Sequence, residues 1–277
     1  MDISKFQREL IELNLTQLLK ISTMKRKLFF IATLFFSVMS FAQATYYVKP
    51  ASEGGSDTGD GTSWTTAFAT LAKAATAAAS NDEIRIAKGT FAVEAQLQTE
   101  IAGKTLSIKG GYDTATDNQD FTEKTVFDGN SVLGKYFMYV NGANTKITLD
   151  NLTIQNCRTT GSGGAINIYL GSLIVNNSIF INNRAAAQTY TDGGAINNAG
   201  SSLIVTNCAF LNNSASRFGG AISNGAAATN IAIITNSSFR GNFAQSGGAV
   251  GVRTLGKCDV KNSIFWDNTH SSTGSGA

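Results

Sequence analysis

The chain has 277 residues, of which 43% are hydrophobic and 15% are charged, and this composition excludes a disordered chain because it can build an apolar core. Residues 1–42 carry six basic and three acidic side chains, which accounts for the whole net charge of +3 and leaves residues 43–277 neutral. A neutral body gives no electrostatic footprint for nucleic acid or for an anionic membrane, so no nucleic-acid partner is expected.

Residues 24–42 have the pattern of a signal peptide. Three basic residues, Lys25 to Lys27, precede an apolar run from Leu28 to Phe41 that fits a signal h-region and is short for a membrane span. Small residues at Ser40 and Ala42 predict cleavage before Gln43. We therefore predict export to the outer membrane, the cell surface or the medium, with an uncleaved N-terminal anchor as the alternative.

Residues 1–23 precede the methionine at which such a signal normally begins. We interpret them as an extension from a misassigned start, and the alternative is a genuine long n-region. Both segments, 1–23 and 24–42, are left out of the fold prediction.

Residues 43–150 are predicted to form an N-terminal cap and the first coils of a solenoid. The segment from Trp64 to Ala79 is rich in alanine and places apolar residues at helical spacing, which predicts an amphipathic helix across the first coil. Strands are predicted at 46–49, 83–87, 105–109, 124–128, 136–140 and 147–154.

Residues 151–277 contain two alternating motifs. A GGA[IV] tetrapeptide recurs every 26–30 residues, and its glycine pairs are Gly163-Gly164, Gly193-Gly194, Gly219-Gly220 and Gly247-Gly248. An N[SC]xFxxN motif lies between its copies, with phenylalanines Phe180, Phe210, Phe239 and Phe265 and final asparagines Asn183, Asn213, Asn242 and Asn268. The chain stops at Gly276-Ala277, inside what would be the next copy, so we expect a C-terminally truncated sequence.

This pattern predicts an all-β fold, a right-handed parallel β-helix (solenoid) with a short N-terminal capping α-helix. Units of under about 30 residues cannot bury their own apolar face, and stacking them in register solves this problem. The phenylalanines should stack as one column, and a second column of asparagines, Asn177, Asn207, Asn236 and Asn262, should occupy a tight corner in the left-handed conformation. The paired glycines allow a turn that residues with a Cβ resist.

Cys208 falls in a serine column and Cys258 in the column of Leu173, so both are interpreted as packing residues.

The alternation of GGA[IV] with FxxN resembles the polymorphic outer membrane protein repeats of chlamydial surface autotransporters. The segments YYVKP, GDGTSW and IKGGYD are similar to secreted bacterial proteins of the pectin-lyase-like β-helix superfamily, and the signal ending SFAQ resembles those of Bacteroidetes. The resemblance implies a β-helix and an exported location. Members of these groups often end in a transmembrane barrel or a sorting domain, so membrane association is expected only through a C-terminal anchor that this sequence lacks.

The sequence contains one candidate metal site and no catalytic set. Asp57 and Asp60 alternate with glycine in the loop 57–62 and are candidate Ca²⁺ ligands, and the alternative is a turn in which their carboxylates cap backbone amides. A second acidic group, Asp113, Asp117 and Asp120, is interpreted as a solvated loop.

The repeats have few charges that could take part in chemistry. Their acidic residues, Asp150, Asp192, Asp259 and Asp267, fall at different points of the repeat, and the five arginines from Arg158 to Arg253 are interpreted as single surface charges. His270 is the only histidine, which argues against a Ser-His-Asp site.

Two functions follow as hypotheses. The first is a structural or adhesin-like surface protein with extracellular glycans or surface proteins as partners. It has no catalytic site, no cofactor-binding residue and no cofactor. The alternative is a polysaccharide lyase or glycoside hydrolase, which rests on fold analogy alone.

Overall fold

The computed structural model describes residues 20, 23–25, 43–94, 96–186, 190–200, 202–225, 227 and 229–271. The chain divides into two compact units, residues 1–42 and 43–277. In the first unit, residues 20 and 23–25 are helical, and most of the predicted signal peptide and extension lies outside the described residues. No helix in the described part has both the length and the apolar composition of a membrane span.

The second unit is a parallel β-solenoid of short strands, with one α-helix, α1 (Leu71–Ala77), and a 3₁₀ turn at Ala51–Glu53 among its described residues. The strands before residue 151 are β1 (Thr45–Val48), β2 (Glu83–Ala87), β3 (Gly89–Ala92), β4 (Thr105–Tyr112), β5 (Thr125–Asp128) and β6 (Met138–Asp150). The following strands are β7 (Leu152–Gln155), β8 (Arg158–Thr159), β9 (Ile166–Asn176), β10 (Ile179–Ile181), β11 (Arg184–Ala185), β12 (Ile196–Asn198), β13 (Ser202–Thr206), β14 (Ala209–Leu211) and β15 (Ser214–Ala215). The last are β16 (Ile222–Asn224), β17 (Ile231–Thr235), β18 (Ser238–Arg240), β19 (Phe243–Ala244), β20 (Val250–Val252), β21 (Lys257–Lys261), β22 (Ile264–Trp266) and β23 (Thr269–His270).

These strands form three sheets, and every pairing between them is parallel. The largest sheet runs β1-β2-β4-β6-β9-β12-β16-β20. The second half of the long strand β9 also pairs with β13, which is followed by β17 and β21. The second sheet holds β3, β5, β7, β10, β14, β18 and β22, and the third holds β8, β11, β15, β19 and β23. Each coil of the repeat therefore adds two strands to the largest sheet and one strand to each of the other two. This confirms the predicted parallel stacking of coils in register, although one strand per sheet was expected.

Side chains alternate between the interior and the surface along each strand, as the two-residue period requires. In β13, Leu203 and Val205 are fully buried and Ile204 is only partly buried. Leu203 and Val205 align in register with Leu173 and Val175 of the preceding coil. The interior is thus a set of columns that run from coil to coil.

The predicted helix was too long. The structure has a helix only at Leu71–Ala77, begun by Thr70, whose hydroxyl accepts a hydrogen bond from the Lys73 amide. Phe68 is buried as expected, but its backbone is extended and exchanges hydrogen bonds with Tyr47 and Lys49 beside β1. The helix itself packs its buried residues Leu71, Ala74 and Ala75 into the core next to β1, the end strand of the largest sheet, as a cap requires.

The predicted run from 147 to 154 is interrupted by a corner. Asn151 has a φ of 56° and separates β6 from β7. Its side-chain amide donates to the carbonyls of Gly110 and Asp120, which fixes the corner. Asparagine tolerates this left-handed conformation, so Asn151 turns the corner one coil before Asn177, the first of the corner residues predicted for the repeats.

Candidate functional site

The glycine pairs of the GGA[IV] motif form turns with two different requirements. The first glycine is left-handed in every copy, with φ of 75° at Gly163, 67° at Gly193, 65° at Gly219 and 64° at Gly247. A Cβ on the second glycine would lie 2.0 Å from the carbonyl oxygen of the next coil's second glycine, as at Gly194 and Gly220. The turn prediction is confirmed, and the second glycine is required by the close approach of the neighbouring coil.

The phenylalanine column is a stack of parallel rings. Phe180 and Phe210 have centroids 5.0 Å apart, Phe210 and Phe239 4.8 Å, and Phe239 and Phe265 4.7 Å, with interplanar angles of 3–4°. The first three rings are fully buried. The predicted aromatic ladder is confirmed.

The final asparagines of the FxxN motif form a buried amide ladder. Asn213 donates from Nδ2 to the Phe180 carbonyl and to Asn242 Oδ1, each at 3.0 Å, and its own Oδ1 accepts from the amide and the side chain of Asn183. Asn183, Asn213 and Asn242 are fully buried, and Asn268 continues the pattern. The sequence identified these residues as repeat positions, and the structure shows that Asn183, Asn213 and Asn242 each tie three coils together.

The other asparagine column lies at the corner, as predicted. Asn177, Asn207, Asn236 and Asn262 have φ between 49° and 55°. Asn207 Nδ2 donates to Asn177 Oδ1 at 2.7 Å, and Asn177 Nδ2 donates to Asp150 Oδ1 at the same distance.

The cysteines are packing residues in the positions predicted. Cys208 takes the place of serine, and its Sγ donates to the Thr206 carbonyl as Ser237 Oγ donates to that of Thr235. Cys258 aligns with Ala232 and, through Leu203, with Leu173. Burial raises the pKa of the Cys208 thiol to about 12, so it is protonated at neutral pH.

The candidate Ca²⁺ ligands act as caps. Asp57 accepts hydrogen bonds from the Ala69 and Thr70 amides and from the Thr70 hydroxyl, just before α1. Asp60 accepts from the Thr62 amide and from the hydroxyls of Thr62 and Thr66, and these bonds, that of Thr66 foremost, lower its pKa. The capping alternative therefore describes both carboxylates. Among the described residues, no group of three or more His, Cys, Asp and Glu side chains is arranged to hold a metal.

The interpretation of the acidic loop after β4 as a solvated loop is wrong for Asp117. Asp117 accepts from Trp64 Nε1 at 3.0 Å and pairs with Arg85 at 2.5 Å. Asp113 pairs with Lys88, and Asp120 accepts from the Thr122 amide and hydroxyl. Asp117 thus holds the loop against β2.

The interpretation of the repeat arginines as single surface charges was wrong for two of them. Asp192, with 1% of its surface exposed, accepts from Arg217 Nε at 2.8 Å and Nη2 at 2.6 Å. Its Oδ2 also accepts from Arg253 Nη1 at 2.8 Å. The carboxylate therefore joins three successive coils through two guanidinium groups.

The elements that position this cluster are backbone turns beside the glycine pairs. Asp192 directly precedes Gly193, and its amide donates to Ser162 Oγ of the coil before. The Thr191 amide donates to Ser216 Oγ, which ties this turn to the segment that carries Arg217. Arg253 follows β20, and its Nε donates to the Gly225 carbonyl at 2.6 Å.

Aromatic rings flank the guanidinium of Arg217. Its Cζ lies 5.5 Å from the centroid of Tyr190 and 5.2 Å from that of Phe218, and Tyr190 is 73% exposed. Arg217, Phe218, Val252, Arg253 and Thr254 line an open depression of about 510 Å³. The hydrogen bonds from Arg217 to Asp192 raise the pKa of this arginine, which is charged at any physiological pH.

Below this depression the outward column of the largest sheet contains small polar residues. Asn197, Ser223 and Gly251 align in register, and a Cβ on Gly251 would lie 2.5 Å from the Gly219 amide, so the segment with Arg217 and Phe218 crosses over this column. Asn197 Oδ1 and Ser223 Oγ are buried without a hydrogen-bond partner among the described residues. We call the group Tyr190, Asp192, Arg217, Phe218 and Arg253 the arginine patch.

The register of the repeats predicts part of the arginine patch. Asp192 and Arg217 lie one and two residues before successive glycine pairs, so stacking the coils brings them together. Arg253 lies after a strand two coils further on, and its approach depends on the conformation of the 253–256 turn, which the motifs do not encode. His270 lies exposed in β23, beside Ala244 of the neighbouring coil, and is not part of the patch.

Comparison with known proteins finds a family model and solved structures that resemble this chain. Residues 207–225 match the family model described as the Chlamydia polymorphic membrane protein (Chlamydia_PMP) repeat, and this segment holds Phe210, Asn213 and the Gly219-Gly220 pair. No curated protein matches the chain. Among solved structures, a rhamnogalacturonan lyase aligns with a TM-score of 0.42 and 17% identity, over 79% of this chain and 56% of that protein. The chain thus spans little more than half the length of that lyase. The resemblance to the chlamydial repeats is confirmed for one repeat.

Proposed function

We propose that this protein is an exported β-solenoid that acts at the cell surface or in secreted form as a structural, adhesin-like scaffold. The observation that supports this proposal best is the contrast between a uniform interior and a varied exterior. Inside, each coil repeats the same phenylalanine, asparagine and glycine contacts. Outside, one register column reads Ile181, Leu211, Arg240 and Trp266, and these side chains are partly or largely exposed. A rigid stack with a variable face suits the display of binding groups.

The match to a polymorphic membrane protein repeat supports a surface location, because that family is named for a membrane protein. The sequence pattern at 24–42 supports export by a cleaved signal. N-terminal sequencing of the protein recovered from outside the cytoplasm tests this step. A first residue of Gln43 is the expected result, and a product that still carries residues 24–42 contradicts cleavage.

The adhesin-like role is tested in the source cells. We expect deletion of the gene to reduce attachment of the cells to surfaces coated with extracellular glycans, and the wild-type gene supplied in trans to restore attachment. A complemented strain that expresses a protein truncated after residue 150 serves as the control for the repeats. Attachment that is unchanged by the deletion on every coating contradicts the proposal.

The proposal includes no catalytic step for the arginine patch. Its carboxylate, Asp192, is buried and accepts hydrogen bonds from both guanidinium groups, so it is not placed as an acid or base toward a ligand. Release of unsaturated uronate products from acidic polysaccharides, measured by ultraviolet absorbance with the purified chain, would favour the lyase alternative instead.

A further inference from the structure

We infer that the arginine patch binds an acidic saccharide, through a carboxylate or sulfate held by Arg217 and Arg253 and a sugar ring packed on Tyr190. This inference deepens the proposed scaffold function and rests on it, because it names the ligand class that the varied face would bind.

The first support is the charge of the patch. One arginine is enough to neutralise the buried Asp192 carboxylate, yet two guanidinium groups bind it. The cluster therefore carries a net charge of +1, although residues 43–277 as a whole are neutral. A buried pair contributes little to stability over an apolar contact, so the second arginine is not accounted for by stability alone.

The second support is the set of donors that the patch leaves for a ligand. A guanidinium has five N–H donors in a fixed fork. Arg217 gives two of them to Asp192, and Arg253 gives one to Asp192 and one to the Gly225 carbonyl. The remaining N–H groups belong to side chains that are 29% and 20% exposed and border the open depression. Because Asp192 already orients both forks, an incoming anion finds them preorganised.

The third support favours a saccharide over a peptide that binds by strand addition. Tyr190 is 73% exposed and stands beside Arg217, so a large aromatic surface borders the cationic donors. A pyranose ring with an acidic substituent combines a flat C–H face, which packs on an aromatic ring, with an anion, which a guanidinium binds. A peptide that binds by strand addition needs an unpaired strand edge for its main chain. Here β12, β16 and β20 pair with one another beneath the patch.

The test is calorimetric titration of the full chain with four probes. They are a galacturonate trisaccharide, a sulfated disaccharide, a neutral galactose trisaccharide and an acidic tripeptide. We expect binding of at least one acidic saccharide, at least about tenfold weaker binding of the neutral sugar and of the peptide, and an affinity that falls with salt. The preference between the first two probes shows whether carboxylate or sulfate is the natural group, and either preference supports the site.

Three variants locate the binding. Arg217→Ala should weaken the preferred probe at least about tenfold, because it removes a charge-assisted contact. Tyr190→Ala removes an exposed ring without touching the core, and it should weaken the same probe about fivefold while leaving thermal unfolding unchanged. Arg240→Ala removes an exposed arginine of β18 outside the patch and is the matched control, with a change of less than about twofold.

The inference is overturned if neither acidic saccharide binds, if the neutral sugar or the peptide binds as tightly, or if Tyr190→Ala and Arg240→Ala have equal effects. These failures are separate from failure of the scaffold function. Loss of attachment on gene deletion, together with no binding in the calorimeter, leaves the adhesin-like role in place and removes only the ligand assignment.

Discussion

The entry region, residues 43–150, and the repeat region, residues 151–271, build the same sheets with different contacts. In the repeats, a side chain meets its own copy in the next coil, as Phe210 meets Phe180 and Phe239. In the entry region most contacts occur once. Glu83 pairs with Arg85 and Lys109, and Lys88 pairs with Asp113 and Glu123.

The difference shows how a solenoid solves its packing problem. When a side chain packs well against the equivalent side chain of the next coil, the same residue type packs well in every coil. Few ion pairs are then needed to join the coils. The first coils have no copy beneath them, so they need a helix, caps and ion pairs. Lys124 lies where the two regions meet, since its Nζ donates to Asn151 Oδ1 and to the Asn177 carbonyl at the start of the asparagine corner.

The largest difference in stability between the two regions is expected from a glycine substitution in each. Gly194→Ala places a Cβ 2.0 Å from the Gly220 carbonyl oxygen and 2.4 Å from the Ser214 amide, both backbone atoms of the next coil that cannot move alone. We expect a loss of about 4 kcal/mol or more in the free energy of unfolding, enough to leave the repeats unfolded. Gly110→Ala meets the side chains of Leu152 and Thr125 at 2.6–2.7 Å and should cost less, because side chains can shift. Circular dichroism during thermal unfolding measures both.

The control for these substitutions is Gly161→Ala, whose Cβ would lie 3.6 Å from Thr159 Oγ1 in an exposed turn. Its unfolding free energy should change by less than about 0.5 kcal/mol. Equal stability of Gly194→Ala and Gly161→Ala would contradict the role given to the second glycine of the pair.

The aromatic cores of the two regions should respond differently to truncation. Phe210→Ala leaves a void between two buried rings that are fixed by the register of their strands, and we expect a loss near the top of about 3–5 kcal/mol. Phe127→Ala should lie near the bottom of that range, because its neighbours Phe91 and Phe137 pack at angles of 28° and 48° and Phe91 is 8% exposed, so they can relax. Chemical denaturation of both variants measures the difference. A larger loss for Phe127→Ala would show that stacking in register does not stiffen the core.

The amide ladder gives a third contrast. Asn213→Ala leaves the Phe180 carbonyl and the Asn183 amide without this side-chain partner and leaves Asn242 Oδ1 with only the backbone amide of residue 213, and we expect a loss of about 2–4 kcal/mol. Thr125→Val in the entry region keeps the volume and removes one hydroxyl that bonds the Gly111 amide and the Ala87 carbonyl, for which about 1–3 kcal/mol is expected. Asn176→Ala, at a half-buried strand end, is the control and should change little. A loss for Asn213→Ala no larger than the control's would mean that the ladder does not hold the coils together.

The repeat region could be predicted from the sequence because its physics is periodic. The spacing of the phenylalanines places their rings in one column, and the asparagines before them must turn the corner in every coil. The position of the helix could not be predicted in the same way. Phe68 and Leu71 are three residues apart, as on a helix face, but the backbone of Phe68 pairs with β1 instead, because the end strand offers it hydrogen bonds that helical propensity does not replace.

The arginine patch was missed for a related reason. Asp192, Arg217 and Arg253 each occur once in the repeat pattern, so the motifs treat them as exceptions. The burial of Asp192 depends on a contact across two coils, 61 residues apart along the chain, and no periodic pattern predicts such a contact. The residues that form the arginine patch are therefore residues that the repeat motifs do not specify.

The smallest effect expected is a difference in pH dependence between the regions. Burial raises the pKa of Glu83, but the hydrogen bonds from Lys109 and Arg85 outweigh it, so the pKa lies below its ordinary value of 4.5. A carboxylate whose pKa is lowered on folding stabilises the protein above about pH 4.5 and loses that contribution as the pH falls through the folded-state pKa. Glu83→Gln should therefore lower stability at pH 7 by about 1–2 kcal/mol and flatten the dependence on pH below 4.5. Urea unfolding between pH 7 and 3 measures this, with Thr125→Val as a variant that lowers stability and keeps the wild-type slope. The buried ladders of the repeats consist of neutral amides and rings. An acid limb that persists unchanged in Glu83→Gln would place the titrating contact outside the β2–β4 ion pairs, as at Asp128, where burial raises the pKa but hydrogen bonds from Gln155, Asn130 and Asn156 outweigh it and lower the pKa.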